Sequence, residues 1–336
     1  MALSSKASVI PTTNEFLSHW TSVNNSVTSG GPFILPEEKK VIPPGFNRSG
    51  LVVFRDLLQD RLDAVQDKLN EAEIARGGIA SQKAIAYKRL TLFLEMFDGF
   101  YKNTDFYVAR PVAAGIGAGE ENFMAALRDV KSLWPKLNAA VAPSGLTLPI
   151  EINEGTNDVP VMVPVAVFTT QLTTLRGKYE QEKDALQELA LARGRRDKTI
   201  ENIRTVLVSY REAVLYRIAG DQALIDTIPR LTPEPGHTPD PVNASAALEG
   251  TNQARISHTQ SDDSDFARYE LRGAVGNDAD AEDAVVVDTH TARVPADFVT
   301  AFGLGSPGAA ATFWVYVVTA DGNERGSVKM VVERPE

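Results

Sequence analysis

Few side chains in this chain have the chemistry or the spacing to act on a substrate. The four histidines, His19, His237, His258 and His290, are the side chains whose ordinary pKa lies near neutrality. No helical stretch carries the Glu-x-x-His pair that a di-iron carboxylate site in a bundle needs, which excludes that chemistry. Gly115-x-Gly117-x-Gly119 precedes Glu120. It has neither a Gly-Lys-Ser/Thr ending nor Gly-x-Gly-x-x-Gly spacing, and the acidic pair Glu120-Glu121 would repel phosphate, so it reads as a flexible connection. Two acidic runs offer carboxylates to a calcium ion: Asp262, Asp263 and Asp265, and Asp278, Asp280 and Asp283. Neither has EF-hand spacing, and solvated acidic loops are the plainer reading. No Gly-x-Ser-x-Gly elbow presents a nucleophile. These absences lead to the expectation that the chain is not an enzyme and takes no cofactor. Arg193, Arg195 and Arg196, at an expected helical turn, read most plainly as a solvated turn; the sharper reading is a contact with an acidic protein surface, for instance the C-terminal region of a neighbouring copy. Trp314, between Phe313 and Val315, is either core or an exposed interface residue.

The elements that position these groups are helical for the first two thirds. In Val165–Gly220, apolar residues recur at threes and fours from Phe168 to Leu189 and from Ile200 to Val214. Leu51–Tyr101 repeats the pattern from Phe54 to Leu69 and from Ile85 to Tyr101. Each stretch is interrupted by Ala-Arg-Gly, at 75–77 and at 192–194, and each is expected to fold as a helical hairpin. The echo extends upstream: Trp20 and Trp134 are 114 positions apart, and Ser18/Ser132, Asn24/Asn138, Val27/Val141, Phe54/Phe168 and Leu58/Leu172 keep that offset. Leu35-Pro36 and Leu148-Pro149 match within one position. These matches, in the same order, indicate an internal repeat spanning about 13–111 and 127–229.

Composition narrows the class. The chain of 336 residues is 43% hydrophobic and 23% charged, ordinary for a protein with a buried core. It has no cysteine, so disulfides and thiolate ligands play no part. No apolar run approaches membrane-spanning length. No secretion signal is evident at the N-terminus, so a cytoplasmic location is expected, with signal-less export the other route. The net charge of −10 sits entirely after residue 230: that region has 17 acidic and 7 basic residues, against 27 of each before it. Nucleic acid is not an expected partner, because phosphate neutralisation needs a basic face.

Residues 1–50 read as a short helix (Thr13–Asn24) and a proline-containing arm, 51–230 as the helical bundle, and 231–241 as a stiff linker with four prolines in Thr232–Pro241. From 242 to 336 the apolar period changes to two, with strands at 254–258, 267–272, 284–288, 312–319 and 327–333. Tyr269-x-Leu271, Phe313-x-Val315-x-Val317 and Asn323-x-x-Gly326-Ser327 resemble the strand motifs of a fibronectin type III domain. His258 stands where that family has its core tryptophan, and Phe313 where it has a corner tyrosine. The resemblance implies a β-sandwich and a role as spacer, adhesion or binding module. A packed sandwich histidine is then the reading for His258.

The fold expected is a duplicated antiparallel α-helical bundle followed by a fibronectin-III-like β-sandwich. The function expected is that of a structural, scaffold or interaction protein whose partner is a second copy of itself or another protein. Two alternatives stand beside it. One is an exported or surface binding protein whose sandwich contacts a glycan or protein. The other is an enzyme with a site in the bundle, which a buried, strongly perturbed polar cluster would mark.

Overall fold

The computed structural model describes residues 5–26, 31–38, 41–139, 151–156, 159–232 and 237–335. The matches at Val27/Val141 and Leu148-Pro149, and residues 233–236 of the proline-rich segment, lie outside them.

Among the described residues, five α-helices occupy the first two thirds: α1 (Val9–Ser26), α2 (Arg48–Tyr101), α3 (Glu120–Ala139), α4 (Val165–Arg217) and the short α5 (Gln222–Asp226). Helix α1 starts four residues earlier than the pattern suggests, because Pro11 is tolerated in a first turn where its missing N–H costs nothing. Asn47 caps α2, its Oδ1 accepting the Ser49 N–H at 3.0 Å. Pro135 lies inside α3, which continues to Ala139.

The two expected hairpins are not there. Helix α2 runs without a break through Ala75–Gly78, and α4 through Ala192–Arg196. The reason is the apolar register, which crosses both glycine sites: Leu69, Ala72, Ile79 and Ala86 are buried on one stripe of α2, and Leu189, Ala192, Arg196 and Ile200 on one stripe of α4. A glycine in a helix interior costs about 1 kcal/mol. Losing one such stripe would cost far more, since each large apolar side chain contributes about 1.5–3 kcal/mol on burial.

Contacts divide the chain into two compact units, residues 1–70 with 188–336, and residues 71–187. Each unit holds part of each long helix, with α1 and α5 in the first and α3 in the second. In the first, Phe16 and Trp20 of α1 pack with Leu51 and Leu58 of α2 and with Leu207 and Tyr210 of α4. In the second, Phe123 and Trp134 of α3 pack with Phe93 and Phe97 of α2 and with Phe168 and Leu175 of α4. Each core therefore joins the start of one long helix to the end of the other. The two tryptophans play the same part. Trp20 meets Tyr210 at 4.7 Å between ring centroids, and Trp134 meets Phe93 at 5.0 Å. The short helix of each repeat thus packs on the last part of the other repeat's long helix.

Both arms cover these cores with a small antiparallel turn. In the first, the Leu35 N–H donates to the Phe46 carbonyl, and Leu35 and Ile42 are buried. In the second, β1 (Ile152–Asn153) pairs with β2 (Met162–Val163), burying Ile152 and Val163.

The C-terminal region is a β-sandwich of two antiparallel sheets. One has the order β10 (Met330–Glu333), β8 (Ala310–Thr319), β5 (Phe266–Val275), β6 (Val285–His290), with β9 (Glu324–Gly326) also on β8. The other is β3 (Ala244–Glu249), β4 (Gln253–His258), β7 (Phe298–Thr300). Ile256, Tyr269, Leu271, Phe298, Phe313 and Val315 fill the space between them. The Tyr269 hydroxyl ties loop ends together: it accepts the Ser261 N–H at 2.7 Å and donates to the Arg293 carbonyl at 3.0 Å. Gly326 has to be glycine, because a Cβ there would lie 2.8 Å from the Tyr316 ring.

The unbroken helices generate a direct test. No atom lies within 4 Å of a Cβ added at Gly77 or at Gly194. Gly77→Ala and Gly194→Ala should each stabilise the protein by about 0.5–1 kcal/mol in urea denaturation, since alanine is the better helix former. Destabilisation by both would mean that the chain turns at these sites.

Candidate functional site

Three of the polar residues singled out in the sequence, Arg193, Arg196 and Asp283, meet in one place, where the sandwich packs on α2 and α4 within the first unit. Arg196 sits on the buried stripe of α4, almost wholly out of solvent. Its Nη1 donates to Asp283 Oδ1 at 2.8 Å and its Nε to Asp197 Oδ1 at 2.9 Å. Arg193, one turn earlier, forms a short ion pair with Asp283 Oδ2 and donates from Nε to Oδ1 at 3.2 Å. Asp283 is 3% exposed and belongs to a 3₁₀ turn, Ala281–Asp283, between β5 and β6. Gln66 of α2 completes the junction. Its Nε2 donates to the Asp283 carbonyl at 2.7 Å, and its Oε1 accepts the Val275 N–H at 3.2 Å. Lys6, ahead of α1, bridges Asp197 at 3.2 Å and Glu282 at 2.9 Å. Val65, Leu69, Leu189, Ala192 and Val275 form the apolar floor beside these pairs.

The electrostatics follow from burial. Burial alone would lower the Arg196 pKa, but the hydrogen bonds and fields of Asp197 and Asp283 hold it above its ordinary value. Burial likewise works to raise the Asp197 pKa, and is outweighed by Arg196 and Lys6, which hold the carboxyl below the usual range.

A second charged cluster lies on the outer face of the five-stranded sheet. Arg272 donates to Glu270 Oε2 at 2.7 Å and to Glu324 Oε2 at 2.6 Å, and its guanidinium lies 3.8 Å from the Tyr316 ring centroid. Burial works against the charge of Arg272, but the two carboxylates hold its pKa above the ordinary value. Nothing in the sequence reading pointed to this cluster. Its signal is the alternation Arg268-x-Glu270-x-Arg272, which places charge opposite the core residues Tyr269 and Leu271.

The remaining candidates are scattered. Arg195 is exposed and joins neither cluster. Trp314 is buried against Ala274, Ala279 and Ala284, under the loop that carries Asp283. Asp263 accepts from His237 Nε2 at 2.6 Å, while Asp262, Asp265, Asp278 and Asp280 are exposed. Among the described residues, no group of three or more histidine, aspartate or glutamate side chains is placed to hold a metal ion. His258 packs at 4.3 Å against Tyr269, as a sandwich histidine would. His19 was not singled out, yet it joins three helices of the first unit: Nε2 donates to the Leu224 carbonyl at 3.0 Å, which leaves Nδ1 to accept the Tyr210 hydroxyl at 2.8 Å. What the polar clusters do chemically is fasten elements together.

No protein-family model matches the chain, and no curated protein does. Among solved structures, an Fn3-like protein from Clostridium thermocellum is similar over 30% of this chain and 97% of its own, at 14% identity and a TM-score of 0.24. Pectate lyase PelI from Erwinia chrysanthemi, solved with tetragalacturonic acid, is similar over 27% of this chain and 28% of its own, at 17% identity and a TM-score of 0.23. Pectate lyase Pel3 from Pectobacterium carotovorum covers 26% of each chain, at 12% identity and a TM-score of 0.22.

Two outcomes test the junction. Asp283→Ala leaves a guanidinium buried without its carboxylate and should cost about 3–5 kcal/mol, whereas Asp197→Ala, half exposed, should cost no more than about 1 kcal/mol. Equal costs in urea titrations would contradict the burial described. The depressed Asp197 pKa fixes a sign with pH. Its contribution is present above the unfolded-state value of about 4 and is lost as pH falls through the lower folded-state value. Thermal stability should therefore fall more steeply below pH ~4 in the unsubstituted protein than in Asp197→Asn.

Proposed function

We propose that this chain is a non-enzymatic assembly protein, in which a fibronectin-III-like module is mounted rigidly on a duplicated helical pair. The observation that carries the reading is the Arg193–Arg196–Asp283 junction. A module that captures ligands at the end of a tether needs freedom from its carrier. Here the sandwich and α4 share a buried ion pair and an apolar floor. The strongly perturbed side chains also favour this reading. Arg196 and Arg272 are each satisfied by carboxylates of the same chain, and none of these groups points an unpaired nucleophile or base into a cavity. A rigidly mounted module suits a protein that packs on copies of itself or on another protein. The module's acidic balance argues against nucleic acid as the partner. No described helix is long and apolar enough to cross a membrane.

The test is light scattering after size exclusion on the full chain, across a range of concentrations. A defined oligomer or a growing polymer is the expected result. A monomer at every concentration would overturn self-assembly.

A further inference from the structure

The first unit carries an open cleft that its own interior does not need. The cleft has a volume of about 670 Å³ and lies between the first arm and the last turns of α4. Phe33, Pro36 and Ala213 form its apolar floor. At its lips Tyr216 is 88% exposed and Ile34 49% exposed. Isolated apolar residues on a surface are ordinary, but an exposed tyrosine beside an exposed isoleucine over an apolar floor is a docking feature. The rim is acidic. Glu37, Glu38 and Glu212 line it against a single cation among the described residues, Arg217, whose Nη2 donates to the Gly31 carbonyl at 2.9 Å. The occupant that suits such a cleft is a cationic segment with an apolar side chain at its centre.

The sandwich presents one. Between β9 and β10 the edge of the five-stranded sheet kinks at Ser327, whose Oγ accepts the Val315 N–H at 3.0 Å. The kink turns Val328 outward, 73% exposed, with Arg325 and Lys329 exposed on either side of it. Neither cation forms an ion pair among the described residues. No residue of the sandwich lines the cleft, so the segment of the same chain does not occupy it.

We infer that the Arg325–Lys329 segment of one copy docks in the Tyr216 cleft of the next, with Val328 on the apolar floor and the two cations on the acidic rim. The inference rests on the self-assembly reading and gives that assembly its contact. Because the two surfaces differ, the contact is head-to-tail. Such contacts close into rings or extend into open filaments rather than forming symmetric pairs.

The test uses the full chain in sedimentation velocity, with two exposed charge-reversal variants whose circular dichroism confirms the fold. Glu37→Lys with Glu212→Lys gives copies in which cleft and segment are both basic. Arg325→Glu with Lys329→Glu gives copies in which both are acidic. Each variant alone should self-associate on the order of a hundredfold more weakly than the unsubstituted chain. An equimolar mixture should assemble again, because each variant supplies the surface that complements the other. Val328→Asp should weaken assembly and should not be rescued by either variant's charges. Assembly that neither reversal changes would overturn this contact while leaving self-assembly standing. A chain that stays monomeric throughout would overturn both.

Discussion

A guanidinium placed at the midpoint of a helix and removed from water has to be met by carboxylate, and the architecture around Arg196 is organised by that requirement. Asp283 reaches it only because the loop between β5 and β6 closes in a 3₁₀ turn, and that loop lies over Trp314. Arg193 shares Asp283 only if the residues between it and Arg196 keep helical spacing. A turn at 192–196 would carry the two arginines apart. The buried ion pair and the uninterrupted course of α4 are therefore one constraint seen from two sides. Removing one partner of such a pair costs more than the pair itself contributes to stability.

The same logic explains why neither repeat makes a core alone. Trp20 needs Tyr210 and Trp134 needs Phe93, each across the boundary between repeats. The long helices must span their glycines to bring these partners into place. A hairpin would have paired each repeat with itself and left each short helix without the half-helix on which its tryptophan rests. A duplicated sequence thus folds as an interleaved pair, and a single repeat lacks half of each core.

Much of this was legible in the sequence. The stripes of α2 and α4 and the matched tryptophans sit at spacings that the structure uses directly. The change to period two marked the sandwich, and Tyr269, Phe313 and Val315 are its core. Two things were not legible. Ala-Arg-Gly reads locally as a helix break, and only contacts far along the chain keep it helical. The arginine cluster read as a solvated turn or as a surface for another copy, whereas Arg193 and Arg196 pair with Asp283 of the same chain. Asp283 looked like one more solvated carboxylate because its burial depends on Gln66, more than two hundred residues earlier. The His19–Tyr210 link was hidden for the same reason.

Hydrogen exchange read by mass spectrometry tests the central claim most directly. If the sandwich is locked to α4 through Arg196 and Asp283, the amides of residues 189–200 and those of the 279–286 loop should be protected to the same degree and should lose protection together when Asp283 is replaced by asparagine. Strong protection of the helix with fast, independent exchange of the loop, unchanged by that substitution, would contradict the lock and return the sandwich to the status of a tethered module.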